Sequence, residues 1–124
     1  MRVFKNTRFS RFAHKKKIID KELLGIVNKL EEGQPDADLG GGVFKIRFAR
    51  AGKGKSGGYR VMVFFKSGIR TFFVHGFEKS ETANISQKEL VQLKKQAKTL
   101  FAMTEAQIKT ALQERVFQEV KGNI

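Results

Sequence analysis

The chain has 124 residues, with 25 Lys or Arg against 12 Asp or Glu, a formal charge of +13, 12 Phe and no Cys. That length supports one domain around one core. The absence of Cys excludes disulfides and thiolate chemistry, and the Phe content argues against a disordered basic tail. No stretch approaches the roughly 18 apolar residues of a membrane span, and the charged N-terminus has no apolar leader segment, so the expectation is a cytoplasmic protein with no membrane partner.

In chain order, residues 6–17 read as a short basic helix with Asn6 as its N-cap and Phe9, Phe12 and Ala13 on one side. Residues from about 19 to 32 read as a second helix, whose Ile19, Leu23, Ile26, Val27 and Leu30 recur at helical spacing before Gly33 and Pro35 end it. Residues 34–42 read as a loop. Three strand-like runs follow at 43–49, 59–66 and 69–77, the last two joined tightly around Ser67 and Gly68 as an antiparallel hairpin. Ser86 and Glu89 have capping-box spacing and open a helix with Leu90, Leu93, Ala97, Leu100 and Phe101 on one stripe. Thr104 opens a last helix, about 105–121, with Ile108, Leu112, Val116 and Val120 every four residues. The expected fold class is α+β: two N-terminal helices packed on one face of a three- to four-stranded antiparallel sheet, with C-terminal helices. Residues 1–124 form a single domain in this reading, with about 104–122 as an additional C-terminal helix.

The charge is unevenly placed. Residues 1–19 carry seven Lys or Arg and no acid, 20–38 carry two bases against six acids, and 39–77 carry eight bases and no acid. At the centre of the acid-free stretch lies GKGKSGGYR at 52–60, a glycine-rich loop carrying cations between two apolar runs. Side chains on a strand alternate between faces. Parity sets Phe44, Ile46, Phe48, Tyr59, Val61, Val63 and Phe65 on a covered face. The other face collects Lys45, Arg47, Arg60, His75 and Lys79, with Phe64, Phe73 and Phe77 as aromatic neighbours. Cations interleaved with aromatics on an open face suit single-stranded RNA, whose bases stack and whose phosphates pair.

The Gly-Lys-Ser at 54–56 is not a nucleotide-triphosphate loop, because position 49 is Ala and the segment leads into a strand rather than a helix. Its glycines instead let backbone N–H groups approach a phosphate while Lys53 and Lys55 neutralise it. His14 and His75 lie far apart in the chain and the basic face has no acid, so no metal site and no cofactor are expected. Phosphodiester chemistry here would have to use cations and the RNA's own 2′-hydroxyl. A base takes the hydroxyl proton, cations hold the transition-state charge, and an acid protonates the leaving oxygen. A Lys crowded by other cations has a reason to titrate low enough to act as base, Arg suits a phosphate clamp, and His75 is a candidate for proton transfer.

This order of helices and strands, with Lys45 to Arg47, the GKGKSGGYR loop, a Val/Phe-rich hairpin and His75 to Lys79, resembles the RelE/ParE toxin superfamily. It is most similar to the HigB-like branch of type II toxin–antitoxin systems, over about residues 1–101. The resemblance implies a ribosome-dependent, metal-independent mRNA endonuclease that inhibits translation. Its implied partners are mRNA on the ribosome and a cognate antitoxin with a helix-turn-helix domain. By position, Lys53, Lys55, Arg60 and Lys79 become the catalytic cations, and Lys45, Arg47, Arg50, His75 and Phe77 the RNA-binding set. No Tyr follows Tyr59, so Phe77 or nothing takes the place of the base-stacking Tyr of the RelE branch. A ParE-like inhibitor of DNA gyrase and a non-catalytic RNA-binding module remain the alternatives.

Overall fold

The computed structural model describes residues 1–48, 58–78 and 85–121. Four helices flank one six-stranded sheet, and the chain enters that sheet immediately. Strand β1 (Arg2–Asn6) sends Val3 into one core and Phe4 into the other. Asn6 ends the strand and caps the next helix: its side-chain oxygen accepts the Phe9 N–H at 2.8 Å, while its amide donates to the Val74 carbonyl at 3.1 Å. Helix α1 (Thr7–Lys16) stops where Lys17 turns left-handed. Helix α2 (Asp20–Glu31) buries Leu23, Ile26, Val27 and Leu30 as its periodicity predicts. Ile19 stands at its N-cap and is exposed, so it leaves the predicted stripe. Gly33, at φ 73°, closes the helix by donating to the Leu30 carbonyl.

The segment expected as a loop contains strand β2 (Ala37–Gly40), paired with β3 (Val43–Phe48). The turn between them passes through three glycines with positive φ, and a Cβ on Gly42 would stand 2.7 Å from the Phe101 ring. Strands β4 (Tyr59–Lys66) and β5 (Arg70–Glu78) form the expected antiparallel hairpin. The sheet order is β2-β3-β4-β5-β1-β6, and β1 lies parallel to β5. The expected three- to four-stranded antiparallel sheet is therefore corrected to six strands with one parallel pairing. The reason is visible in β1: a crossover through α1, α2 and three further strands separates it from β5, so local pattern could not reveal the pair.

Both faces of the sheet are covered, which corrects the one-sided arrangement. Helices α1 and α2 pack on Ile46, Phe48, Tyr59, Val61, Val63, Phe65 and Phe73. Helices α3 (Gln87–Phe101) and α4 (Glu105–Gln113) pack on Phe4, Val43, Met62, Phe64, Phe72 and Val74. The continuous apolar run of β4 is the signature of a strand buried on both sides.

The last helix ends at Gln113, not near 121. Arg115 adopts φ 59°, the Val116 N–H returns to the Ala111 carbonyl at 2.9 Å, and Phe117–Glu119 forms β6 against β1. A longer helix would keep Val116 and Val120 on its packed stripe. Instead Val116 is 54% exposed, while Phe117 closes an aromatic cluster with Phe4 and Phe72 at centroid distances of 4.9 and 5.5 Å. Polar contacts hold this end down. Arg2 donates twice to the Glu119 carboxylate, at 3.0 and 3.1 Å, and once to Glu105 at 2.7 Å. Buried Arg70 donates to the Met103 carbonyl at 2.6 Å and to Glu105 at 3.1 Å.

Candidate nucleic-acid interface

Register, more than sequence distance, assembles the cations. Directly opposed residues of antiparallel strands point to the same face. Arg47 of β3 opposes Arg60 of β4, which opposes Phe77 of β5. One step along, Lys45 opposes Met62, which opposes His75. Met62 belongs to the core beneath α3 and α4, so both rows lie on that face. Arg47 is exposed, and Lys45, Arg60 and His75 are half-buried.

A bulge in β5 creates this grouping. Met62 pairs with His75, but Val63 pairs with Phe73, leaving Val74 as the extra residue. Unbroken parity puts Thr71, Phe73, His75 and Phe77 together. The bulge instead sends Phe73 to the α1/α2 side while His75 and Phe77 stay with the cations. Two aromatic neighbours are lost from the expected open face, for different reasons: the bulge moves Phe73 to the other side, and α3 and α4 bury Phe64 completely. Phe77 shares the face but is only 5% exposed, its ring 5.4 Å from that of His75, so it floors the site and does not offer a stacking surface. The predicted residues Arg50, Lys53, Lys55 and Lys79 lie outside the described residues. Of the described residues that flank them in sequence, Phe48 opposes Tyr59, next to Arg47–Arg60, and Glu78 opposes Tyr59 from the other side.

The charges on this face are uncompensated among the described residues, where Lys45, Arg47 and Arg60 form no ion pair. The nearby acids are engaged elsewhere. Asp36 accepts the backbone N–H of Arg47, and Glu78 pairs with Lys16. That hydrogen bond from Lys16 holds the Glu78 carboxyl below the usual carboxylate range. Lys16 also lies over the Tyr59 ring, 5.7 Å from its centroid, a contact between α1 and the base of the loop that strand parity could not show. Tyr59 is buried in the α1/α2 core, as its parity predicts. Among the described residues, no three His, Asp or Glu side chains gather as metal ligands. Two arginines facing each other across a strand pair are normally avoided, since directly opposed like charges destabilise a sheet. The arrangement becomes favourable when an anion lies between them, and a phosphate takes bidentate donors from guanidinium groups.

The fold is thus a small α+β domain on whose sheet Lys45, Arg47 and Arg60 share a face without an ion-pair partner among the described residues. The family model for the RelE toxin of the RelE/RelB toxin–antitoxin system matches residues 1–120, and the chain belongs to that family. It is thus a toxin of toxin–antitoxin type, with a cognate antitoxin as partner. The match runs through α4 and β6, past residue 101. No curated protein matches the chain. Among the described residues, no helix is long and apolar enough to cross a membrane.

Proposed function

We propose that this protein is a ribosome-dependent, metal-independent mRNA endonuclease of the HigB-like branch, acting in the cytoplasm to inhibit translation. The observation that carries the reading is the Arg47–Arg60 pair: two opposed cations with no carboxylate between them, at the root of a loop bearing Lys53 and Lys55. In this mechanism the 2′-hydroxyl of the message attacks the adjacent phosphorus, forming a 2′,3′-cyclic phosphate, and the 5′-oxygen leaves. Lys53 or Lys55 takes the hydroxyl proton, Arg60 clamps the phosphate oxygens, and Lys79 adds positive charge at the leaving side. Lys45, Arg47 and Arg50 hold the flanking backbone. In this reading His75, which opposes Met62 in the second row, relays a proton to the departing oxygen. The antitoxin, bearing a helix-turn-helix domain, neutralises the toxin by covering this face with acidic residues.

The test is cleavage of a translated message in a reconstituted system. Removing a transition-state donor typically costs about 10²-fold or more in rate. Arg60→Ala should lose cleavage to at least that extent while keeping the wild-type unfolding curve. Wild-type cleavage should require ribosomes and leave a 2′,3′-cyclic phosphate on the upstream product, the outcome of attack by the message's own 2′-hydroxyl. Undiminished cleavage by Arg60→Ala refutes the site. Growth arrest with intact message and induced DNA damage points instead to gyrase inhibition.

A further inference from the structure

A second group of cations lies on the opposite face of the sheet, at the β1–β6 edge. Here α1, the end of β1 and the α4–β6 turn enclose a cavity of about 720 Å³ lined by Lys5, Ser10, Arg11, His14, Arg115 and Gln118 among others. No carboxylate lines it. The Lys5 ammonium is engaged by Asp20 at 2.8 Å, but Arg11, His14 and Arg115 form no ion pair among the described residues. Arg11, His14 and Arg115, all three exposed, thus border one hollow without a counter-charge among its lining residues.

Two further observations point to an occupant. The Ser10 Oγ is buried without a hydrogen-bond partner, alone in this among the described side chains. A helical serine either turns its hydroxyl to solvent or returns it to the carbonyl four residues back, and this one does neither. Arg115 holds a left-handed φ of 59° just past the end of α4, a position that favours glycine. Its carbonyl accepts from the Thr7 hydroxyl at 3.2 Å, which moors the turn to the start of α1. A strained non-glycine residue that brings a guanidinium to an uncompensated cavity is a mark of a functional position.

We infer that this cavity is a phosphate-binding pocket, in which Arg11 and Arg115 grip the oxyanion and Ser10 and His14 donate to it. It is separate from the cleavage face. Arg47 and Arg60 lie on β3 and β4 beneath the α3/α4 side, whereas this pocket opens on the α1 side beyond β5. The phosphate is either free or part of an RNA backbone outside the strand being cut.

The experiment uses the full chain, with backbone amide NMR signals of Ser10, Arg11, His14 and Arg115 as reporters. Inorganic phosphate is titrated in one arm and a structured RNA oligonucleotide in the other, each repeated on Ser10→Ala and Arg115→Gly. Both substitutions remove a local defect, an orphan hydroxyl or a strained Cβ, so the unfolding midpoint should hold or rise while the saturable shift disappears. A shift with inorganic phosphate assigns a free-phosphate site. A shift with RNA alone, together with a salt dependence of RNA affinity shallower by about one unit in Arg115→Gly, assigns a backbone contact. The inference is overturned if neither ligand moves these signals, or if the shifts persist in both variants. Message cleavage is measured separately, so failure of this pocket leaves the Arg60 assignment standing, and the reverse.

Discussion

Replacing Arg47 by Gln separates what the Arg47–Arg60 pair does for stability from what it does for function. The two residues are Cα partners in antiparallel register, so their Cβ atoms stand about 5 Å apart. Two unit charges about 6 Å apart in water repel by about 0.7 kcal/mol, and opposed like charges in sheets cost about 0.2–1 kcal/mol. Arg47 is exposed, which places the pair toward the lower part of that range, near 0.5 kcal/mol by these values. Gln keeps most of the side-chain length without the charge. Arg47→Gln should therefore be more stable at low salt, with a urea midpoint higher by about 0.3 M for a domain of this size. The gain should shrink toward zero at about 1 M NaCl, where the screening length falls to about 3 Å. Cleavage of translated message should meanwhile fall by about tenfold or more, through loss of one charge-assisted phosphate contact. Equilibrium urea unfolding at several salt concentrations, run beside the cleavage assay, reads both effects. A variant that is less stable at low salt, or one that cuts at the wild-type rate, refutes the reasoning.

Other perturbations test the fold that carries this face. Arg2 holds the Glu119 carboxyl below the usual carboxylate range, chiefly through its hydrogen bonds. Folding thus favours the charged form. The side chains are 37% and 25% exposed, so the contribution is discounted to about 1 kcal/mol. It is present above the unfolded carboxylate value of about 4.3 and lost as pH falls through the lower folded value. Glu119→Gln should lower stability by that amount at pH 7, and its unfolding curve should converge on the wild type toward about pH 3. Gly76→Ala would place a Cβ 2.3 Å from Phe12, whose ring is wedged against Phe9 and Tyr59. We expect a cost of about 2 kcal/mol, seen as a melting temperature lower by about 8 °C. Arg70→Ala strands the Met103 carbonyl and one contact of Glu105, and should cost about 2–3 kcal/mol by urea unfolding.

Much of this was legible in the chain because it depends on local chemistry. Asn6, Ser86 and Thr104 cap the helices they precede, since a side-chain oxygen and an unpaired helix N–H need no distant partner. Alternation in 43–48 and 59–65 put Lys45, Arg47 and Arg60 together on one face, which the strand register bears out. Three features resisted the same treatment. The Val74 bulge is one inserted residue with no sequence mark, yet it reverses the side on which Phe73 lies. Residues 2–6 and 117–119 are too short to show a period and become strands only by long-range pairing, the first with β5 and β6 and the second with β1. Whether an apolar face is open or covered depends on where α3 and α4 dock, which their own stripes do not specify.

By itself, then, the sequence determined the helix starts, the central hairpin and the existence of a cationic, carboxylate-free segment, because each follows from composition and spacing within a few residues. The tertiary structure alone decided that Arg47 and Arg60 stand opposed, that Phe77 is buried beside them, and that Arg11, His14 and Arg115 share a cavity on the other side. Those relations come from strand register and from the parallel insertion of β1 between β5 and β6. Register is a long-range choice, made by burying two cores at once, and no local window of the chain contains it.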